Sequence, residues 1–143
     1  MARALRPTLL GDHRGQPRHL AFVVGSFVVA FVGYATGAFE VGGGVVFVPV
    51  HAASVGAIVG AWIGYRTGAL PIAWAAVYAS YFGFHAEWAV FGLSGRPLAD
   101  RIAFLVSPDG LAFFGVSALV LGTVAFAGGR AARFVSTSVA WRG

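Results

Sequence analysis

The sequence predicts an all-α integral membrane protein, with four transmembrane helices in an up-down bundle and both termini on the cytoplasmic side. Composition is the first observation, since 58% of the 143 residues are hydrophobic and only 10% are charged, whereas soluble domains carry about 25% charged residues. The second is a series of four apolar runs, each long enough to cross roughly 30 Å of hydrocarbon. The third is the placement of arginines beside these runs, which predicts the orientation.

Residues 1–19 are predicted to be a basic cytoplasmic arm, because they combine arginines with the helix breakers Gly and Pro. A cleaved secretory signal is the alternative, since Ala35-Thr36-Gly37 offers small residues for a cleavage site. The apolar run after the arm has about 20 residues, however. That is longer than the ~7–15 residues of a signal peptide, and further spans follow it. We therefore expect the run to be retained as the first span.

The transmembrane domain is predicted over residues 20–129. Its spans are expected at about 20–39, 45–65, 69–93 and 111–128. The third span opens with Pro71 in its first turn, where a missing N–H is harmless. The outer loop at 94–110 includes a stretch near residues 98–106 that suits a short helix lying in the membrane interface. The tail, residues 130–143, mixes arginines with apolar residues and is expected to lie along the inner membrane surface.

Arginines predict which ends of the spans are cytoplasmic. With the N-terminus inside, eight arginines lie on the inner side and two lie outside. The inner set is Arg3, Arg6, Arg14, Arg18, Arg66, Arg130, Arg133 and Arg142, and the outer set is Arg96 and Arg101. The opposite orientation would reverse this ratio, against the positive-inside rule. All ten basic side chains are Arg and none is Lys, and Ala, Gly and Val are abundant, which is typical of GC-rich coding in a prokaryote.

Small residues recur every fourth position in the second span and form a glycine zipper. The members are Ala52, Gly56, Gly60, Gly64 and Gly68, and a similar stripe in the third span comprises Ala75, Ala79 and Gly83. A four-residue step places such residues along one helix face, where a second helix backbone can approach closely. These positions are therefore predicted to be helix-packing residues, either within the chain or between subunits.

Four ionisable residues lie in or beside the apolar spans: Glu40, His51, His85 and Glu87. Ionisable groups at membrane depth are functional candidates because burying them there is costly, so together they form a candidate proton or cation site near the outer side. His85 and Glu87 are two residues apart and point to different sides of a helix, which argues against a metal site. The alternative for His51 is a packed side chain bonded to a neighbouring polar group. For His85 it is a place at the outer interface, and for Glu40 exposure in a turn.

The sequence excludes several functional classes. It contains no cysteine, so disulfides, thiolate metal sites and thiol nucleophiles are absent. No phosphate-binding loop, zinc-protease motif or catalytic triad is present, so we expect no enzyme, no cofactor and no nucleic-acid partner.

We expect a multi-pass protein of the cell membrane that acts as a structural or accessory subunit. Its partners would be the lipid bilayer and either a second copy or a larger membrane complex, contacted through glycine-zipper faces. The alternative is a small transporter or channel, and a membrane-embedded enzyme is the least favoured reading.

Overall fold

The computed structural model describes residues 16–40, 49–66 and 68–140. Within these ranges the chain is all-helical, with 87% of residues in helices and none in a strand. The helices are α1 (Gln16–Ala35), α2 (Val50–Arg66), α3 (Leu70–Glu87), α4 (Leu98–Leu105) and α5 (Pro108–Ala140). The all-α class predicted from the sequence is therefore confirmed.

The first three helices follow the predicted spans with shifted ends. Helix α1 ends at Ala35, four residues before the predicted end, because Gly37 adopts a positive φ of 73° that turns the chain. Helix α2 begins at Val50, and most of the predicted start of that span lies outside the described residues. Helix α3 has a proline in its first turn, as predicted, and continues into a single π-helical turn, Trp88–Gly92.

The C-terminal third agrees with the prediction at one helix and departs from it at another. The short helix expected near residues 98–106 is α4, and its apolar side chains Leu98 and Ile102 are exposed. Helix α5 was expected to end at about residue 128, but it runs without interruption to Ala140. The tail expected to lie along the membrane surface is therefore the end of a 33-residue helix, about 50 Å long. Gly128 and Gly129 do not end it, because neither adopts the positive φ with which a glycine closes a helix.

Helix α3 is the centre of the bundle. It packs against α1 on one side and against α2 and α5 on the other, α2 also packs on α5, and α1 and α5 barely touch. Contacts between residues fix the directions. Phe27 contacts Phe82 and Phe31 contacts Phe91, so α1 and α3 are parallel. Gly122 meets Trp74 whereas Phe114 stacks on Tyr81, so α5 is antiparallel to α3. Successive long helices thus alternate in direction, although α1 has α3 rather than α2 as its main neighbour.

A glycine lies at each of the main helix crossings. A Cβ at Gly56 would lie 2.8 Å from the Cα of Val77, where α2 crosses α3. At the crossing of α2 and α5, a Cβ at Gly64 would collide with the carbonyl of Phe126. Gly83 and Gly122 play the same role where α3 meets α1 and α5. These helix backbones approach so closely that any side chain at the crossing would force them apart.

The zipper residues of α2 and the turn after it are all buried within the chain: Ala52, Gly56, Gly60, Gly64 and Gly68. Gly68 also takes a positive φ of 70° in the turn before α3. In the α3 stripe, Gly83 contacts α1, Ala79 is nearly buried and Ala75 is half-buried beside a groove. The α2 stripe therefore serves packing inside the subunit, and its use between subunits stays a prediction.

The interior is apolar. Two core clusters are centred on Val77 and Ile63, which are both fully buried. The buried hydroxyls of Ser26 and Ser80 donate to carbonyls of their own helices, at 2.8 Å and 2.9 Å. These serines are therefore satisfied within their own helices and leave no unpaired polar group in the core.

Candidate functional site

The four predicted ionisable candidates lie at the same end of the bundle. Glu40 follows α1, His51 is in the first turn of α2, and His85 and Glu87 are in the last turn of α3. This is the shared position expected from their depth in the spans. The structure nevertheless gives each of them a different environment.

Glu87 is buried on the side of α3 that faces α1 and α2, and it is 8% exposed. Its carboxylate is within electrostatic reach of the Tyr34 hydroxyl. That hydroxyl accepts a hydrogen bond of 3.3 Å from the Ala52 amide, and the Tyr34 ring packs on Phe84 with centroids 4.8 Å apart. Tyr34 thus joins three helices beside the buried carboxylate. Nothing in the sequence connects Tyr34 with Glu87, because their proximity depends on how α1 packs on α3.

His51 is exposed, which differs from the packed, hydrogen-bonded histidine considered from the sequence. Its ring stacks on Phe39 at a centroid distance of 5.2 Å and meets the edge of Tyr34 at 6.4 Å. The reason is the turn after α1, which folds Phe39 back over Gly33 and places its ring at the start of α2. Glu40, next to Phe39, is exposed as expected.

His85 is buried, with 5% exposure. Its Nε2 atom lies 3.0 Å from the carbonyl oxygen of Phe104, and its ring stacks on the Phe104 ring at 4.3 Å. Helix α4 folds over this side of α3 and covers the histidine. The ring forms one wall of a cavity of about 390 Å³ whose other walls are mainly aromatic, including Trp88 and Phe113.

These side chains do not converge on one point. His85 faces α4 and α5, whereas Glu87 faces α1 and α2, so the divergence expected from their spacing is observed. In the part of the chain that the structure describes, no group of three or more His, Cys, Asp or Glu side chains could hold a metal ion. The arrangement offers one buried carboxylate beside a tyrosine, and a separate histidine that holds α4 in place.

The opposite end of the bundle carries a basic pocket that sequence reasoning missed. It has a volume of about 360 Å³ and is lined by residues of three helices. The lining residues are Arg18 of α1, Tyr65 and Arg66 of α2, and Arg133, Ser136 and Thr137 of α5. The sequence did offer one signal for this pocket, because these three arginines flank predicted spans on the same, cytoplasmic side. Their convergence depends on how the helices pack, which one sequence does not show.

A third feature is an apolar groove between α1 and α5, above α3. Its volume is about 680 Å³. Val23 and Phe27 of α1 form one wall, and the floor includes Ala75 and Ala79 of α3 together with Gly115 of α5. The groove exists because α1 and α5 barely touch. Small residues at its floor leave room for a further helix or an acyl chain.

Comparison of this chain with protein-family models, with curated proteins and with solved structures gives no match.

Proposed function

We propose that the chain is a multi-pass protein of the cell membrane, that it crosses the bilayer four times, and that it acts as a structural or accessory subunit. The observation that carries the membrane location is the exposure of two long apolar helical segments, Pro17–Ala35 and Leu98–Ala140. Only 22% and 17% of their most apolar windows are buried. A core helix of a water-soluble protein would bury most of such a surface, so lipid is the solvent that suits it.

The charges support an orientation with both termini inside. Among the described residues, every acidic side chain lies at the end of the bundle near α4: Glu40, Glu87, Asp100 and Asp109. Arg18, Arg66 and Arg133 line a pocket at the other end. This segregation by end matches the positive-inside rule when the arginine end is cytoplasmic.

The accessory role is supported by how the small residues are used. The glycines of α2 are packed inside the subunit, where they produce a close-packed apolar core. The small residues Ala75, Ala79 and Gly115 instead form the floor of the open groove. Helices associate in lipid through such small-residue surfaces. The groove therefore suits a transmembrane helix of a partner or of a second copy, and the proposal includes no enzymatic activity.

The test is to fill the groove without disturbing the fold. A Cβ at Gly115 would have no atom closer than 4.0 Å, so Gly115→Leu should fold and occupy the groove. Gly25→Leu is the matched control, since a Cβ there meets nothing within 4 Å and Gly25 does not line the groove. We expect the mass of the complex in native-lipid nanodiscs to fall with Gly115→Leu and not with Gly25→Leu. Equal masses for wild type and Gly115→Leu would contradict association through the groove.

A small transporter is the second candidate, because Glu87 is a buried carboxylate, 8% exposed, beside the Tyr34 hydroxyl. A buried carboxylate of this kind suits proton uptake. Proton flux into liposomes distinguishes the two proposals. The accessory role predicts the same background flux for wild type and Glu87→Gln, whereas transport predicts a wild-type flux that the substitution abolishes.

A further inference from the structure

We propose that Arg18, Arg66 and Arg133 form a binding site for a phosphoryl anion, and that the headgroup of an anionic phospholipid supplies it. The inference deepens the proposed function and rests on the membrane location given there. Its basis is the basic pocket described above, where three arginines from three helices line one cavity of about 360 Å³.

Two of the arginines are held in place by contacts that leave most of their donors free. The Nη1 atom of Arg133 donates to the carbonyl of Tyr65 at 3.4 Å. The guanidinium carbon of Arg66 lies 5.4 Å from the centre of the Trp62 ring, a stacking contact that uses no N–H group. A guanidinium has five donors. The pocket therefore keeps a set of preorganised N–H groups available to a ligand.

The positive charge of this pocket has no counter-charge among the described residues. The four described acidic side chains all lie at the opposite end of the bundle, and no acidic residue lines the cavity. Three like charges in one concave site repel one another, and a bound anion relieves that repulsion. Planar guanidinium groups match the oxygen geometry of phosphate.

An adjoining groove indicates that the phosphate comes with a lipid. It is apolar, has a volume of about 610 Å³, and lies along α2 and α5, with Ile58, Trp62 and Gly128 among its walls. Tyr65 lines both this groove and the basic pocket. A phospholipid has the same two parts, an anionic headgroup joined to an apolar chain. Basic pockets between helices on the cytoplasmic side are suited to anionic headgroups for this reason.

The experiment titrates the full-length protein, purified in neutral maltoside micelles, with three probes: dihexanoyl phosphatidylglycerol, dihexanoyl phosphatidylcholine and inorganic phosphate. Tryptophan fluorescence is the readout, because Arg66 lies against Trp62. The variants are Arg18→Gln, Arg66→Gln and Arg133→Gln. Arg96→Gln is the matched control, since it removes the same charge from an exposed position at the other end of the bundle.

We expect wild type and Arg96→Gln to bind phosphatidylglycerol equally, more tightly than phosphatidylcholine, and more weakly as salt is raised. Each of the three pocket substitutions should weaken binding about five-fold. Inorganic phosphate that binds as tightly as the lipid would uphold the phosphoryl site and identify a soluble source. Pocket variants that bind like Arg96→Gln would overturn the proposal.

Two further measurements keep the result interpretable. Circular dichroism checks that each variant is folded, and Arg18→Gln is the safest variant because Arg18 is exposed in the first turn of α1. Extraction of membranes with alkaline carbonate tests the membrane location separately. A chain that resists extraction but binds no phosphoryl probe would overturn the site alone, and a chain that is extracted would overturn the proposed function.

Discussion

Single glycines decide how closely the helices of this protein approach. Gly129 of α5 is the tightest case, because a Cβ there would collide with the carbonyl oxygen of Ala61 and would lie 2.9 Å from the Tyr65 nitrogen. Both neighbours are backbone atoms, which cannot rotate out of the way. The adjacent residue, Gly128, faces open space, with no atom within 4 Å of such a Cβ.

This pair gives a prediction at the residue scale. Gly129→Ala should lower the free energy of unfolding by about 1–3 kcal/mol, because the helices must shift to admit one methyl group. Gly128→Ala should leave it unchanged or raise it by up to about 1 kcal/mol, the usual helix preference for alanine. Unfolding in mixed micelles with increasing dodecyl sulfate, followed by far-ultraviolet circular dichroism, measures both. Equal stabilities would contradict the close crossing of α2 and α5.

Sequence reasoning at this scale located the packing residues better than the polar ones. The four-residue step of α2 singled out Gly56 and Gly64, which lie at helix crossings in the structure, because that periodicity follows from helix geometry alone. The burial of His85 was missed, since it depends on α4 folding over α3. The convergence of the pocket arginines was missed for the same physical reason, because contacts between distant segments leave no periodic signal.

At the scale of elements, Arg101 ties α4 to the end of α3. Its Nε atom donates to the carbonyl of Ala89 at 2.7 Å, and its Nη2 atom donates to the carbonyl of Val90 at 2.6 Å. These carbonyls belong to the π-helical turn, close to the helix end, where backbone acceptors lack a partner from the next turn. The sequence marked Arg101 only as an outer loop charge.

We expect Arg101→Gln to loosen α4 without unfolding the bundle. Hydrogen bonds from a charged donor contribute about 1.5–3 kcal/mol, so amide protection in α4 should fall by roughly 30-fold when about 2 kcal/mol is lost. Hydrogen exchange read by mass spectrometry tests this. Arg96→Gln is the control, because it removes the same charge from an exposed position in the loop before α4. Unchanged exchange in α4 would show that Arg101 does not hold it.

Element boundaries were predictable where a local signal marked them. Pro71 lies in the first turn of α3, as predicted, and Pro97 stands directly before α4, because proline suits the first turn of a helix or the residue before it. The predicted end of the fourth span, at about residue 128, falls at Gly128 and Gly129, but α5 continues through both glycines to Ala140. Glycine ends a helix when it adopts a positive φ, and neither of these glycines does so.

The helix bundle as a whole has two different ends. One end carries the described acidic residues and α4, and the other carries the arginine pocket and the extension of α5. Between them the two long segments expose apolar surface. Composition and arginine placement predicted the apolar middle and the two different ends from the sequence. Both observations depend on many residues together, so an error in the boundary of one helix changes them little.

The most direct test of this account is the side of the membrane on which each end lies. The chain has no native cysteine, so single cysteines can be introduced at the exposed residues Thr36, Ser94 and Ser138 without background. A membrane-impermeant maleimide should label Thr36→Cys and Ser94→Cys in intact cells. It should label Ser138→Cys only after permeabilisation, while a permeant maleimide labels all three. Labelling of Ser94→Cys and Ser138→Cys from the same side would contradict the four-span arrangement.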